Sequence, residues 1–151
     1  MDIKFESDSV EQTMAFGRQI GKKLRGGEIF GLSGPLGSGK TYLVKGIVDG
    51  AGNLKQHNIV NSPTFVIVNE YYGRLHIYHI DAYRIKSTRE FQMVGFDDFC
   101  SPESVVLIEW ADKIADALEG TDYVRIDLDF RQNNKRTIII KNLPEYLFTA
   151  S

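Results

Sequence analysis

The 151-residue sequence holds one cysteine, one tryptophan, three histidines and four prolines, and each scarcity excludes something. Cys100 alone cannot close an internal disulfide, which fits a reducing compartment. The few histidines and single thiol offer too few neighbouring ligands for a structural metal site. No apolar run exceeds five residues, far short of the ~20 needed to span a bilayer as a helix. Residues 1–20 carry Asp2, Glu6, Asp8 and Glu11 and no apolar stretch, so no secretory leader is expected. Neither charge sign dominates: 18 basic against 20 acidic residues leave a net charge of -2. The whole chain therefore exerts no pull on nucleic acid or membrane, and any RNA contact must be local. The expectation is one soluble, cytoplasmic domain over residues 1–151, large enough to bury roughly 70% of its unfolded surface without staples.

The pattern predicts an α/β fold with a mixed, mainly parallel sheet, helices on both faces and antiparallel hairpins. Ser9-Val10-Glu11-Gln12 reads as a capping box. Behind it Val10, Met14, Gly17, Ile20, Gly21 and Leu24 recur at helical spacing, the glycines suggesting close packing. Gly26-Gly27 closes this helix. A short strand over 28–33 leads to a glycine-rich turn, and a second helix starts at Lys40 with Leu43, Val44, Ile47 and Val48 on one side. Runs over 65–71 and 75–80 flank Tyr72-Gly73-Arg74 as a hairpin. Val105 to Ile108 is a continuous apolar run of the kind buried on both faces in a parallel sheet. A short helix over 111–118 and a late hairpin around Gln132-Asn133-Asn134 complete the series.

The turn is the strongest signal. Gly34-Pro35-Leu36-Gly37-Ser38-Gly39-Lys40-Thr41 matches G-x-x-x-x-G-K-[ST] in full. Glycines let the backbone curl so that successive N–H groups converge on phosphate oxygens. The lysine reaches the β- and γ-phosphates, and the threonine hydroxyl can ligate Mg²⁺. With glycine at about 7% of residues, four fixed positions recur by chance in well under one chain in a hundred. Gly37, Ser38, Gly39, Lys40, Thr41 and Tyr42 are the expected phosphate-binding residues of a nucleotide triphosphate site, helped by the helix N-terminus.

Such a loop works with an acidic group at the end of a neighbouring strand. Glu109 ends the run from Val105 to Ile108, and Asp81 ends the run from Leu75 to Ile80. Both should emerge at the carboxyl edge of the sheet, where open α/β folds bind ligands. Glu109 is assigned to Mg²⁺ beside Thr41, and Asp81 to orienting or deprotonating the attacking water. The opposite assignment stays open. Trp110 follows Glu109 as a packed, partner-facing or nucleotide-contacting ring. Arg84 is expected in a surface ion pair with Asp81 or on the γ-phosphate. His76 and His79, alternating with apolar residues, are read as structural or as supporting the site from behind. Pro63 biases Ser62 to extended backbone, so Ser62-Pro63-Thr64 suits a stiff loop, with Thr64 as a γ-phosphate sensor or a plain strand entry. Cys100 has no basic neighbour and is read as inert. Lys22, Lys23 and Arg25 form a solvated helix end.

Four further segments follow the loop in order: Asn61-Ser62-Pro63-Thr64-Phe65, Tyr78-His79-Ile80-Asp81-Ala82-Tyr83-Arg84, Met93-Val94-Gly95-Phe96 and Leu107-Ile108-Glu109-Trp110. Together they resemble the TsaE family, from the Thr13 helix to about Arg136. The resemblance implies an ATP hydrolase that supports threonylcarbamoyladenosine formation in tRNA. It implies TsaB and TsaD as protein partners, TsaD transferring the threonylcarbamoyl group to an adenosine beside the anticodon, with hydrolysis resetting their complex. tRNA would then be met only through that complex. It further implies ATP and Mg²⁺ as ligands, Thr41 and Glu109 on the metal, Lys40 and Asp81 in catalysis, Trp110 in turnover, and nucleotide contacts from Thr13 and Arg136. Pro35 and Ser38 depart from the family's usual Asp and Ala, and Ala82 replaces a larger apolar residue. The loop acts through backbone N–H groups, so neither side chain is required for phosphate binding. Thr88-Arg89-Glu90-Phe91 lacks part of the usual acidic pattern and carries no site. The competing readings are a small-molecule kinase on the same loop, for which 151 residues leave little room for an acceptor pocket and lid, and a nucleotide-gated binding module with little catalysis.

Overall fold

The computed structural model describes residues 1–52, 55–61 and 66–148, with 55–61, 66 and 67 described by backbone alone. Ser62, Pro63 and Thr64 lie outside the described residues. In chain order the elements are β1 (Ile3–Ser7), α1 (Val10–Lys22), β2 (Ile29–Ser33), α2 (Lys40–Gly50), β3 (Lys55–Asn61), β4 (Val66–Tyr72), β5 (His76–Asp81), α3 (Thr88–Met93), α4 (Phe96–Phe99), β6 (Ser104–Glu109), a 3₁₀ segment Ala111–Leu118, β7 (Val124–Phe130), β8 (Arg136–Lys141) and α5 (Glu145–Phe148).

The eight strands form one sheet in the order β1-β8-β7-β2-β6-β5-β4-β3. β7, β2, β6 and β5 run parallel at its centre. Antiparallel strands flank them on both sides, β8 and β1 on one, β4 and β3 on the other. The mixed sheet and both hairpins are as the sequence predicts, and parallel pairing is confined to this central block. β6 is buried along its whole length, as a strand covered on both faces must be. One face packs α1 and α2 through Ile20, Leu24, Leu43, Val44 and Ile47 against Phe30, Leu107 and Ile126. The other packs α3, α4 and the 3₁₀ segment through Phe91, Phe96 and Ile114 against Ile80, Val106 and Ile108. The result is three layers.

α1 and α2 cross with almost no side chain between them. A Cβ on Gly21 would stand 2.1 Å from the Ile47 carbonyl oxygen, and one on Gly46 would stand 2.3 Å from that of Met14. Gly17 and Gly50 meet backbone just as closely. This close crossing is the packing that glycines at helical spacing lead one to expect.

Local detail departs from expectation at three places. Ser9 does cap α1, its Oγ accepting from Gln12 N at 3.1 Å, but the Gln12 side chain returns to Asp8 N at 2.7 Å instead of to the cap residue. α1 stops at the Lys23 cap, before the two glycines. The expected helix over 111–118 is a kinked 3₁₀ segment with Ile114 outside helical φ/ψ. Its entry residue Trp110 sits at φ 63, and no side chain caps the first turn.

The chain ends are clasped. Leu143 N donates to Met1 O at 2.9 Å, and the Met1 ammonium donates to Leu143 O at 2.9 Å. Tyr146 Oη donates to Glu28 Oε2 at 2.7 Å, and Glu28 also receives Arg25 N and Gly26 N.

Two tests follow from this packing. Gly46→Ala gains about 1 kcal/mol of helix propensity, but its Cβ meets backbone that cannot yield locally, and overpacking costs up to about 3 kcal/mol. A net loss near 2 kcal/mol is expected in urea unfolding; an unchanged or raised midpoint would mean the helices separate freely. At Tyr146, burial, the hydrogen bond to Glu28 and that carboxylate's charge push the phenol up to about 12. A pKa raised on folding stabilises the native state while the proton is held, so this contribution is whole below pH 10 and fades as pH rises toward 12. Thermal unfolding of Tyr146→Phe should fall less steeply between pH 10 and 12 than the parent, and parallel curves would remove Tyr146 from the clasp.

Candidate functional site

The site forms where the parallel strands end. β2 runs into the loop Gly34–Gly39 and α2 starts at Lys40, capped only by Gly39 at φ 103 with no side-chain hydrogen bond and no acidic residue in the first turn. The contrast with α1, which carries both a serine cap and Glu11, is informative. A helix N-terminus left without a side-chain acceptor keeps its N–H donors and its positive dipole end available to an anion. Gly39 must be glycine twice over. Its φ is left-handed, and a Cβ there would press on Arg136 Cδ and Nε at 2.8 Å.

Lys40 is 5% exposed. Its ammonium donates to Gly34 O at 2.6 Å and Pro35 O at 3.0 Å, approaches Ser38 Oγ at 3.4 Å, and lies 3.8 Å from the Trp110 ring centroid. Burial lowers its pKa, against the opposing pull of Glu109, Asp112 and Asp81. Its direct contacts are neutral dipoles and a π face, so its charge is offset only by the less direct pull of those carboxylates.

β6 delivers Glu109, also 5% exposed. Thr41 Oγ1 donates to Glu109 Oε1 at 3.1 Å, and His79 Nε2 lies 2.5 Å from Glu109 Oε2. Burial would raise this carboxyl, but the hydrogen bonds from His79 and Thr41 and the Lys40 charge outweigh it and hold Glu109 below its ordinary value. The carboxylate is thus ionised with one oxygen turned to Thr41. Asp81 is its register partner on β5, half-buried, with Oδ1 accepting from Tyr83 N at 3.0 Å.

Trp110 leaves β6 with left-handed backbone, a conformation that costs a bulky residue of order 1–3 kcal/mol. Its ring meets Tyr83 at 4.8 Å between centroids. Lys113 braces that corner by donating to Tyr83 O at 2.9 Å. Arg136, at the start of β8, is 8% exposed. Its Nη1 donates to Asn134 O at 3.1 Å, while its buried Nε has no hydrogen-bond partner. A buried orphan donor costs about 1–3 kcal/mol, and this one lies against Gly39.

The expected residues therefore separate into groups. Gly37, Ser38, Gly39, Lys40, Thr41, Tyr42, Glu109 and Trp110 line one cavity of about 140 Å³. Asp81 and Arg136 flank it. Thr13 is fully buried with its hydroxyl taken up by Ser7 Oγ at 2.7 Å and Ser9 O at 3.2 Å, so it presents no free polar atom here. Arg84 is exposed, beside Tyr83 and Lys113. Asn69, which donates toward His79 Nδ1 at 3.3 Å, was not signalled by the sequence. Spacing places His79 and Asp81 on one strand face but cannot name the neighbour on β4.

The arrangement fits a triphosphate with a divalent cation. Uncapped N–H donors, a free lysine charge and an orphaned arginine N–H suit phosphate oxygens, and the Thr41–Glu109 oxygen pair suits Mg²⁺. Among the described residues no cluster of three or more His, Cys, Asp or Glu could hold a metal alone. That is consistent with Mg²⁺, which is commonly held by one or two protein oxygens together with substrate phosphates. A larger cavity of about 490 Å³ lies at the opposite edge, lined by Gly26–Ile29, Asp122–Val124 and Asn142–Tyr146. Its Glu28 is already paired, so volume there brings no chemistry. Among the described residues no helix is long and apolar enough to cross a membrane.

Comparison with known proteins agrees with this geometry. The family described as threonylcarbamoyl adenosine biosynthesis protein TsaE matches residues 7–138. The chain is 37% identical over 117 residues to the tRNA threonylcarbamoyladenosine biosynthesis protein TsaE of Bacillus subtilis, covering 77% of this chain and 71% of that protein. It is 34% identical over 135 residues to the protein of the same name from Rickettsia typhi, covering 89% and 91%. The crystal structure of Bacillus subtilis YdiB superposes with a TM-score of 0.76 at 28% identity, over 97% of this chain and 91% of that one.

If Glu109 holds the metal, Glu109→Ala removes the Mg²⁺-dependent tightening of ADP binding while leaving metal-free affinity. Titration with and without MgCl₂ reads this directly. Affinity that still responds to Mg²⁺ in the variant would transfer the metal to another residue.

Proposed function

The chain belongs to the TsaE family of threonylcarbamoyl adenosine biosynthesis proteins, and from that premise we propose that it is a Mg²⁺-dependent ATP hydrolase acting on a TsaB–TsaD complex in the cytoplasm. In this reading hydrolysis resets the complex and the modification chemistry belongs to the partners. The chain meets tRNA only through them.

The observation that carries the reading is the convergence of Lys40, Thr41 and Glu109 at the mouth of the glycine loop, with Asp81 in register beside Glu109. The backbone N–H groups of the loop and the first turn of α2 bind the phosphates. Lys40 exchanges the Gly34 and Pro35 carbonyls for β- and γ-phosphate oxygens. Thr41 and Glu109 would hold Mg²⁺, which would supply positive charge against the negative charge developing on the phosphate. Asp81, half-exposed at the strand end, orients the attacking water or takes its proton. Arg136 turns its free Nε–H to the bound nucleotide, and Trp110, released from Lys40, closes over the loop. Water attacks the γ-phosphorus, the bond to the β-γ bridging oxygen breaks, and ADP and phosphate leave. Among the described residues no arginine beyond Arg136 stands against the loop, so turnover by the chain alone should be slow.

Phosphate release tests this. Asp81→Ala should keep ATP binding and lose turnover by about 10²–10⁴-fold, the usual range for a general base. Adding TsaB and TsaD should stimulate the parent chain. Unchanged partner function in Asp81→Ala would favour a nucleotide-gated binding module, and fast turnover unaffected by the partners would remove the coupling to the complex.

A further inference from the structure

A polar stripe crosses the strands on the face of the sheet under α1 and α2. Asn69 on β4 and His79 on β5 are register partners. Glu109 on β6 stands two residues beyond Leu107, the partner of His79, and so projects to the same side. Asn69 Nδ2 contacts His79 Nδ1 at 3.3 Å, His79 Nε2 contacts Glu109 Oε2 at 2.5 Å, and Glu109 Oε1 receives Thr41 Oγ1 at 3.1 Å. Four residues from four elements form one unbroken line of hydrogen bonds.

Direction follows from chemistry. An amide N–H₂ only donates, so Nδ1 of His79 accepts and carries no proton. A ring proton therefore sits on Nε2 and is donated to Glu109. His79 is 6% exposed among Ile77 and Leu107, where an apolar residue would pack without a desolvation cost. An imidazole persists there because it fixes a carboxylate whose other oxygen must stay turned to the loop. Carboxylate and imidazole partners behind a metal ligand commonly set its orientation, and their loss costs 10–100-fold in metal affinity.

We propose that His79, held in its Nε2–H tautomer by Asn69, is a positioning residue that aims the Glu109 carboxylate at the divalent cation and so sets its affinity. This rests on the function proposed above. The role is exerted through the hydrogen bond to Oε2: His79 touches neither nucleotide nor metal.

Two polar substitutions separate the hydrogen bond from simple filling of space. In His79→Gln the side-chain amide reaches as far as Nε2 and can still donate to Glu109. In His79→Asn it ends near the Nδ1 position and cannot. ADP affinity is measured for parent and variants as a function of MgCl₂, with metal-free ADP affinity as the internal reference. The expected result is a 10–100-fold rise in the Mg²⁺ concentration needed by His79→Asn, a response near the parent's in His79→Gln, and metal-free affinity shared by all three. Equal Mg²⁺ response in His79→Asn and the parent overturns the relay. So do equal losses in both variants, or a loss of metal-free binding in either. A parent chain that binds no ADP, or binds it without response to Mg²⁺, overturns the function proposed above and the relay with it, and is distinguished by appearing before any substitution is made.

Discussion

The contact between α1 and α2 governs where everything else at the sheet edge can stand. Backbone meets backbone across Gly17, Gly21, Gly46 and Gly50, so α2 has no freedom to rise from the sheet. Its first residue, Lys40, is buried for that reason, and Thr41 is held within reach of Glu109. A coil of glycines alone would sample many loop shapes. Anchored between the inflexible start of α2 and the end of β2, it is confined to a few. The shape of the loop is thus tied to the packing of α1 on α2.

The loop departures are harmless in structural terms. Proline lacks an N–H, but position 35 contributes its carbonyl, which receives Lys40. Ser38 is fully buried, and its hydroxyl stands beside the same ammonium. Ser38 adds an acceptor to the resting place of Lys40, while Pro35 gives up its own N–H and keeps the backbone carbonyl that any residue there would offer.

How much was legible depended on whether a feature is local. The glycine loop, the apolar run ending at Glu109 and the two hairpins are written in adjacent residues, and the sequence predicts each of them. The antiparallel flanks were less legible. β1 alternates Ile3, Phe5 and Ser7 toward the core, but five residues before a capped helix give a weak signal, and β1 gains its place only by pairing with β8 far along the chain. The 3₁₀ form of Ala111–Leu118 was hidden because its apolar spacing suits a helix, and the departure of Ile114 from helical backbone leaves no mark in that spacing. Asn69 was invisible for the plainest reason: a polar residue in a strand has no address until the register with His79 is known. Thr13 shows the converse. Its place at the start of α1 was legible, but its burial against Ser7 depends on β1, which was not.

The two edges of the sheet show why cavity size is a poor guide to chemistry in this fold. At the amino edge the cavity is several times larger, and its polar groups are spent: Glu28 binds two backbone N–H groups and Tyr146, and the Met1 ammonium pairs with Leu143 O. Filling it would gain apolar contact and little else. At the carboxyl edge, a helix starts without a side-chain cap, an arginine N–H is buried without a partner, a tryptophan holds a left-handed backbone and an ammonium rests on neutral groups. Each costs free energy that the packed core offsets, of order 1–3 kcal/mol for the orphan donor and for the strained backbone. Phosphate would relieve three of the four: the free helix N–H groups, the orphan guanidinium and the ammonium that rests on neutral groups. Costs that one ligand chemistry would cancel together locate the functional edge.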